Sequence, residues 1–363
     1  MGELHEIAGR LGGGAIDLSI GTPTDPPPPL VAEVLASSGT ERGYPPSVGI
    51  PQVREAAARW LETRFGARID AGSIAVCVGT KELVAGLPHL LSLRSPDRDT
   101  VLYPAVSYPS YAMGATLGGC RAVPVEMDEH WHLRLDSITE ADAQRALCLW
   151  VNTPGNPAGG LDDLGAAARW GRERGVPVFS DECYAEFTWQ GEPALPGMPP
   201  GRTILEHGPD GVVAVHSLSK RSNLAGLRMG FYGGDAELVE YLSQVRKHAG
   251  FMVPGPVQAV GCSVLADQTH VDVQRARYAE RLEEVGGLLA ERGVDVAPPG
   301  GGFYLWVRAP RGDAWAFARE LAGDLGVVGS PGEFYGPAAT EYLRLAMVQT
   351  EEQSVLLRQR AGM

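Results

Sequence analysis

Five short apolar runs in this chain each end in a cluster of polar residues, and this arrangement restricts the possible folds more than any other feature. The runs cover residues 74–78, 100–103, 146–151, 176–179 and 212–215. Their apolar residues are continuous instead of alternating, which is typical of strands buried on both faces in a parallel sheet covered by helices. Helix-like segments lie between the runs, for example residues 161–174. The sequence therefore predicts an α/β fold with a mostly parallel sheet.

The polar clusters indicate where a ligand would bind. In open parallel sheets, the ligand lies beyond the carboxyl ends of the strands. Each cluster directly follows one of the runs or lies in the loop after it. In chain order, the clusters contain Gly79, Thr80 and Lys81, then Tyr108, then Asn156, then Asp181 and Tyr184, and finally Ser217, Ser219 and Lys220. We expect these residues to surround a single site at one edge of the sheet.

The last cluster has the composition of a site for pyridoxal 5'-phosphate (PLP). Ser217, Ser219 and Lys220 follow an apolar β-branched run, and Arg228 comes shortly after them. PLP needs a lysine amine that forms a Schiff base with its aldehyde, together with a polar cradle around its phosphate. The segment is not specific by itself, because Ser/Lys turns after strands are common. The polar residues at the other strand ends add the remaining groups that PLP requires.

Composition and charge exclude several other classes of protein. The chain has 363 residues, of which 44% are hydrophobic and 21% charged, as is ordinary for a soluble enzyme of about two domains. Its formal net charge of −13 opposes binding to nucleic acids or to anionic membranes. No apolar run approaches the ~20 residues of a membrane span. The first residues are too polar for a signal peptide, so we expect a cytoplasmic protein.

Metal and dinucleotide sites are not expected. The 5 cysteines are scattered without the spacing of metal ligands, and they suit a role as small apolar residues. His130 and His132 lie close to Asp128, but we interpret this segment as a hairpin between residues 123–125 and 133–135. No Gly-x-Gly-x-x-Gly follows a first strand, so the signature of a nicotinamide-binding fold is missing.

Together, these motifs resemble the fold-type I PLP-dependent aminotransferases of the class I and II group. The resemblance extends from about residue 17 to residue 350, and the motifs occur in the order of that family. Lys220 matches the Schiff-base lysine, and Asp181 matches the carboxylate that pairs with the pyridine nitrogen of PLP. Tyr184 and Asn156 match the two donors to the phenolate oxygen of the ring. The resemblance implies that Lys220, Asp181 and Tyr184 are catalytic.

The resemblance also assigns residues to the cofactor and to the substrate. The residues that it assigns to PLP are Gly79, Thr80, Lys81, Tyr108, Asn156, Asp181, Tyr184, Ser217, Ser219, Lys220, Arg228 and Tyr44. Among these, Thr80 and Lys81 would contact the phosphate through backbone amides, and Tyr44 would reach the phosphate of a neighbouring subunit. The residues that it assigns to the substrate are Gly21, Asn156 and Arg344. Arg344 would hold the α-carboxylate in its planar fork.

Within this family, the chain is most similar to the N-succinyldiaminopimelate aminotransferases of lysine biosynthesis. The similarity lies in residues 43–46, 180–184, 216–226, 246–254 and 331–336. It implies that glutamate donates its amino group to N-succinyl-2-amino-6-oxopimelate, giving 2-oxoglutarate. The distal carboxylates of these substrates need a second cation, for which Arg221 and Arg42 are candidates.

Other functions would use the same residues. An aminotransferase for another amino acid, of the aspartate, aromatic or alanine type, would share the whole cofactor site. A PLP-dependent C–S lyase would share it too, and would differ in how the carbanion at Cα decomposes. A non-enzymatic regulator built on this fold normally carries an added N-terminal DNA-binding domain. The acidic charge and a fold-like segment that begins near Asp17 disfavour the regulator.

The resemblance implies two domains and a dimer. The large PLP-binding domain would span residues 36–249, with its mostly parallel sheet covered by helices. The small α/β domain would span residues 250–363, with the N-terminal arm of residues 1–35 packed near it, and would have strands within residues 301–307 and 327–334. Because relatives complete each site with a residue of the neighbouring subunit, we expect a homodimer with shared active sites. Its partners would be small amino acids and 2-oxo acids.

Overall fold

The computed structural model describes residues 1–38 and 43–362. The strands are β1 (Ile16–Asp17), β2 (Ile74–Cys77), β3 (Thr100–Pro104), β4 (Arg121–Val125), β5 (Ala146–Asn152), β6 (Val178–Asp181), β7 (Val212–Ser217), β8 (Gly230–Gly234), β9 (Tyr304–Arg308), β10 (Val327–Val328), β11 (Ser330–Pro331) and β12 (Tyr342–Ala346). The helices are α1 (Gly2–Gly9), α2 (Leu30–Ser37), α3 (Pro51–Phe65), α4 (Thr80–Arg94), α5 (Ser110–Leu117), α6 (Glu140–Arg145), α7 (Leu164–Arg174), α8 (Leu218–Arg221), α9 (Ala236–His248), α10 (Gly255–Ala266), α11 (Thr269–Glu291), α12 (Ala314–Asp324) and α13 (Glu351–Ala361). In the described part of the chain, no helix combines the length and the apolar character needed to cross a membrane.

Seven of the described strands form one sheet in the order β2-β8-β7-β6-β5-β3-β4. The pairs from β7 through β6, β5 and β3 to β4 are parallel, whereas β8 is antiparallel to both of its neighbours. The predicted α/β fold with a mostly parallel sheet is therefore confirmed. The five predicted apolar runs correspond to β2, β3, β5, β6 and β7, with small shifts at their ends.

Alternate residues of this sheet face two different apolar cores. Val212 and Ala214 of β7 belong to a core that also contains residues of α3, α7 and α10. Val213 and Val215 belong to a core that contains residues of α4, α5 and α9. Helices thus cover both faces of the sheet, which explains why the runs are continuously apolar.

A third core surrounds two smaller sheets. In one, β12 pairs in antiparallel fashion with β9 and β11, and in the other β1 pairs in parallel with β10. Apolar residues of α1, α11, α12 and α13 complete this core. The first and last parts of the described chain therefore share one core. The division of the chain into domains of residues 36–249 and 250–363 stays a prediction.

The hairpin predicted around His130 and His132 is only partly present. An antiparallel bridge joins Met127 to Leu133, and the turn between them is closed by hydrogen bonds between residues 128 and 132. Residues 123–125, however, lie in β4, which pairs in parallel with β3. The predicted pairing with residues 133–135 was therefore wrong, because the apolar residues of β4 extend the edge of the main sheet instead.

One edge of the main sheet collects the polar residues. β3, β5, β6 and β7 are parallel, and β2 runs in the same direction because both it and β7 are antiparallel to β8. Their carboxyl ends therefore meet at the same edge. β8 begins with Gly230 opposite Ser217, so Arg228, just before β8, also lies at this edge.

Candidate active site

A cavity of about 630 Å³ opens at the carboxyl edge of the main sheet. All but two of the residues predicted for the site line this cavity, namely Gly21, Thr80, Lys81, Tyr108, Asn156, Asp181, Tyr184, Ser217, Ser219, Lys220, Arg228 and Arg344. Most of them follow strands of the main sheet, whereas Gly21 follows β1 and Arg344 lies in β12. The cavity therefore combines groups from both parts of the fold.

Lys220 lies in a single helical turn at the end of β7. Ser217 caps this turn, since its Oγ accepts a hydrogen bond of 3.1 Å from the backbone N–H of Ser219. The Nζ atom of Lys220 donates a hydrogen bond to the carbonyl oxygen of Gly21. Burial lowers the pKa of Lys220 to about 8, and the nearby guanidinium groups of Arg344 and Arg228 act in the same direction. A lysine with this pKa has a substantial neutral fraction near neutral pH, as a nucleophilic amine requires.

Asp181 is the last residue of β6 and is buried. Its carboxylate accepts hydrogen bonds from the hydroxyl of Tyr111 at 2.8 Å and from the backbone N–H of Cys183 at 3.2 Å. Burial raises the pKa of Asp181, while the hydrogen bonds from Cys183 and Tyr111 oppose this change. A buried carboxylate of this kind favours a cationic partner, because the partner offsets the cost of burying the charge.

The N-terminus of α4 forms one side of an anion site. Gly79 has a φ of 75° and leads directly into α4, whose first backbone N–H groups have no partner within the helix. A Cβ atom at Gly79 would lie 2.2 Å from Nη2 of Arg228, so glycine is required for this close approach. The hydroxyls of Thr80 and Ser217 line the cavity nearby. These groups match what a dianionic phosphate needs.

Arg344 and Asn156, both predicted to bind the substrate, lie together in the cavity wall. Nη1 of Arg344 donates to Oδ1 of Asn156 at 2.8 Å, and Nη2 donates to the carbonyl oxygen of Ser19 at 2.6 Å. The guanidinium carbon lies 4.5 Å from the ring centroid of Tyr304 and 4.8 Å from that of Tyr335. The two rings hold the plane of the guanidinium group, which suits bidentate binding of a carboxylate.

Two aromatic side chains complete the predicted cofactor contacts. The hydroxyl of Tyr184 lies 2.8 Å from that of Tyr304, and burial raises the pKa of Tyr184 well above its usual range. Tyr184 is therefore a neutral donor at physiological pH. Tyr108 packs edge-on against Tyr111 with ring centroids 6.2 Å apart, and Nζ of Lys81 lies 5.7 Å from the Tyr108 ring centroid. The Tyr108 ring thus forms part of the cavity wall, where it can contact a bound ring.

Three predicted residues differ from the others. Tyr44 is 93% exposed and does not line the cavity of its own chain, so its contact with a neighbouring subunit stays a prediction. Arg42 lies outside the described residues. Arg221 is buried away from the cavity, where its Nε forms an ion pair of 3.2 Å with Glu186. The suggestion that Arg221 binds a distal carboxylate is therefore wrong, since its charge is already used in the protein interior.

Three tyrosines of the candidate site were not predicted from the sequence. Tyr304, Tyr335 and Tyr111 line the cavity, and each contacts a predicted functional residue. Tyr304 falls within residues 301–307, where only a strand was predicted. No spacing in the sequence indicates that its side chain points towards Tyr184.

Comparisons with known proteins all find aminotransferases. The family model described as aminotransferase class I and II matches residues 14–359. The 4-dedimethylamino-4-oxo-anhydrotetracycline transaminase OxyQ of Streptomyces rimosus is 40% identical over 348 residues, which cover 93% of this chain and 90% of that protein. The LL-diaminopimelate aminotransferase of Aquifex aeolicus is 32% identical over 349 residues, which cover 93% of this chain and 88% of that protein. A solved structure of a probable N-succinyldiaminopimelate aminotransferase from Thermus thermophilus has a TM-score of 0.83 and 32% identity, and the match covers 99% of this chain and 98% of that one.

Proposed function

This chain belongs to the class I and II aminotransferases, a family that uses PLP, and we propose that it transfers the amino group of glutamate to N-succinyl-2-amino-6-oxopimelate. The reverse reaction would convert N-succinyl-LL-diaminopimelate and 2-oxoglutarate, and the enzyme would serve lysine and diaminopimelate biosynthesis. The main support is the presence of two separate cations in the cavity wall, Arg344 and Lys81, for a substrate with separate carboxylates.

The residues of the cavity fit PLP. Lys220 offers an amine for the aldehyde, and the buried carboxylate of Asp181 suits the ring nitrogen. Arg228 and the N-terminus of α4 at Thr80 suit the phosphate. When bound, PLP supplies an electron sink that stabilises negative charge at the Cα atom of the amino acid. The roles of these residues are part of our proposal.

Lys220 is the group that would hold and move the proton of the substrate Cα. A pKa of about 8 makes part of the amine population neutral and able to accept a proton near neutral pH. An ordinary lysine, with a pKa near 10.4, would remain almost fully protonated. The carbonyl oxygen of Gly21, which accepts a hydrogen bond from Nζ, orients the amine within the cavity.

Arg344 would bind the α-carboxylate of each substrate in turn, because glutamate and N-succinyl-LL-diaminopimelate both carry this group at the reacting carbon. The other lysine and arginine side chains of the lining are Lys220, Arg228 and Lys81. Lys220 and Arg228 would bind PLP, which leaves the ammonium group of Lys81 for a distal carboxylate. Lys81 is exposed and lies over the ring of Tyr108, so its flexible side chain can reach a ligand in the open part of the cavity.

Two of the similar proteins support the same substrate class. One curated relative is named for LL-diaminopimelate, and one solved structure is named, as probable, for N-succinyldiaminopimelate. Both matches extend over nearly the whole chain. The segment of residues 216–226, which includes Lys220, resembles the corresponding segment of N-succinyldiaminopimelate aminotransferases.

The test is the absorption spectrum of the purified holoenzyme after addition of N-succinyl-LL-diaminopimelate, with glutamate in a parallel sample. We expect both compounds to remove the visible band of bound PLP, because each donates its amino group to the cofactor. Loss of the band with glutamate alone would retain the aminotransferase but reject the diaminopimelate substrate. Parallel samples with aspartate, alanine and phenylalanine would then identify the substrate type.

Two controls separate this proposal from its alternatives. The Lys220→Ala variant should retain PLP through the phosphate contacts but show no transamination, and substantial residual turnover would sink the assignment of Lys220. A C–S lyase would leave the visible band unchanged with glutamate and would release a thiol from cystathionine. Release of the thiol without any response to glutamate would therefore favour the lyase.

We also propose that the enzyme is a homodimer in which Tyr44 contacts the PLP phosphate of the neighbouring subunit. Its 93% exposure in the isolated chain leaves the side chain available for such a contact. Sedimentation measures the oligomeric state directly. If the protein is a dimer, Tyr44→Phe should increase the dissociation constant for PLP without changing the sedimentation coefficient.

A further inference from the structure

Tyr304 contacts several functional groups of the site at once. Its hydroxyl lies 2.8 Å from the hydroxyl of Tyr184, and its ring lies against the guanidinium group of Arg344. A Cβ atom at Gly21 would lie 2.3 Å from the Tyr304 hydroxyl oxygen, so the backbone of Gly21 packs directly on that oxygen. The carbonyl of Gly21 in turn accepts a hydrogen bond from Lys220. Tyr304 is thus in contact with groups on both the cofactor side and the substrate side of the cavity.

The number of protons available decides the direction of the hydrogen bond between the two tyrosines. A phenol has one proton to donate and lone pairs that accept. In the proposed site, Tyr184 donates its only proton to the phenolate oxygen of PLP. At the 2.8 Å contact, Tyr184 can then act only as an acceptor, so Tyr304 must be the donor.

We propose that Tyr304 is a positioning residue, which donates a hydrogen bond to Tyr184 and thereby orients and strengthens the hydrogen bond from Tyr184 to the cofactor. The proposal rests on the proposed placement of PLP beside Tyr184. Hydrogen bonds in a chain polarise one another, and the effect is larger in a buried site than in water. Both hydroxyls are buried in the cavity wall, so the chain from Tyr304 through Tyr184 meets this condition.

Burial keeps the hydroxyl of Tyr304 protonated. Burial raises the pKa of Tyr304 to about 12, although the positive charge of Arg344 opposes the change. Tyr335 and Tyr108 are the other titratable groups that act on it, and both act to raise its pKa. Tyr304 is therefore a neutral donor throughout the pH range in which the enzyme is expected to work.

The hydrogen bond between Tyr304 and Tyr184 also joins the main sheet to the smaller sheet that contains β9 and β12. Tyr304 begins β9, whose neighbour β12 carries Arg344, whereas Tyr184 follows β6 of the main sheet. A hydrogen bond between them fixes the strand that carries the substrate arginine relative to the cofactor contacts. A phenylalanine at position 304 would preserve the ring packing and remove only this bond.

The test is the pH titration of the visible PLP band in the purified holoenzyme of three variants. A donor to the phenolate oxygen favours the deprotonated form of the bound cofactor, so weakening that donor raises the pH midpoint. We expect Tyr304→Phe to raise the midpoint by about 0.1 to 0.3 pH unit, because the bond between the two tyrosines strengthens the bond to the cofactor by only a fraction of one neutral hydrogen bond. Tyr184→Phe should raise it further, and the double variant should behave like Tyr184→Phe.

Tyr335→Phe is the matched control. Tyr335 also lies against Arg344, with its ring centroid 4.8 Å from the guanidinium carbon, and its hydroxyl donates to Ser330 instead of Tyr184. We expect no change of midpoint in this variant. An equal change in Tyr335→Phe and Tyr304→Phe would overturn the proposal, because it would indicate a general loss of polarity in the cavity.

The outcomes also separate this proposal from the proposed function. If Tyr184→Phe raises the midpoint and Tyr304→Phe does not, the role of Tyr304 is refuted while the placement of PLP stands. If neither variant changes the midpoint, the placement of PLP beside Tyr184 is wrong and the role of Tyr304 falls with it. The dissociation constant of PLP and the melting temperature of each apoprotein show whether a variant has lost its fold, independently of activity.

Discussion

Replacement of Arg344 by lysine tests how the enzyme binds its substrates. Arg344 uses Nη1 and Nη2 to contact Asn156 and Ser19. The aromatic rings of Tyr304 and Tyr335 hold the plane of its guanidinium group. Its Nε atom is buried and has no hydrogen-bond partner among the described residues. Lysine would keep the positive charge but lose the plane, the fork of donors and the contact with Asn156.

The expected loss follows from this geometry. A carboxylate that binds the guanidinium fork receives two charged hydrogen bonds, whereas the lysine ammonium supplies one at the same position. One hydrogen bond to a charged group contributes about 1.5–3 kcal/mol, which corresponds to a decrease of about 10- to 150-fold in affinity. Because both substrates carry an α-carboxylate, the decrease should affect both half-reactions.

The assay is the kcat/KM for glutamate and for N-succinyl-LL-diaminopimelate, with the PLP spectrum as a check on the cofactor. Arg308→Lys is a matched control, since Arg308 lies in β9 of the same small sheet but forms an exposed ion pair with Glu341. We expect this control to retain the original kcat/KM. A decrease of less than about threefold for both substrates in Arg344→Lys would refute the assignment of Arg344.

Three further predictions concern the protein without substrate. When the apoprotein is reductively methylated at a series of pH values, the labelling of Lys220 should have its midpoint near pH 8. Peptide mass spectrometry measures the labelling, with the exposed Lys247 as reference. A midpoint near pH 10.4 would contradict the effect of burial. Because the unfolded chain binds more protons than the folded one between these pH values, the apoprotein should also gain stability from pH 8 to about 10.4 relative to Lys220→Met. Glu186→Gln removes the carboxylate that accepts hydrogen bonds from Arg64 and Arg221 in the protein interior, so its free energy of unfolding in urea should decrease by about 3 kcal/mol. A decrease below about 1 kcal/mol would show that the two arginines do not depend on this charge.

The main sheet and most of the site could be predicted because local sequence determines them. Strands buried on both faces produce continuous apolar runs, and the residues after them must lie at the carboxyl edge of the sheet. Asp181 and Lys220 were found in this way. Arg344 and Gly21 were found only through the resemblance to the family, since neither follows a strand of the main sheet.

Other parts of the structure depend on packing that the sequence does not display. β8 contains three glycines and no apolar run, yet it is a central strand of the sheet. A Cβ atom at its Gly230 would lie 2.7 Å from the carbonyl oxygen of His216, so the strand needs glycine there to approach β7. Arg221 follows Lys220 directly but contacts Glu186 in the interior, because adjacent residues of a helical turn point in different directions.

The parallel pairing of β1 with β10 determines when the site is completed during protein synthesis. Ile16 lies opposite Val327, and the carbonyl of Gly21, just after β1, contacts Lys220. The ribosome makes the chain from its N-terminus, and the strands of the main sheet all lie between residues 74 and 234. The main sheet can therefore assemble while β1 still has no partner strand. The backbone around Gly21 takes its place beside the amine of Lys220 only after residue 327 has emerged, so the candidate site is among the last parts of the molecule to form.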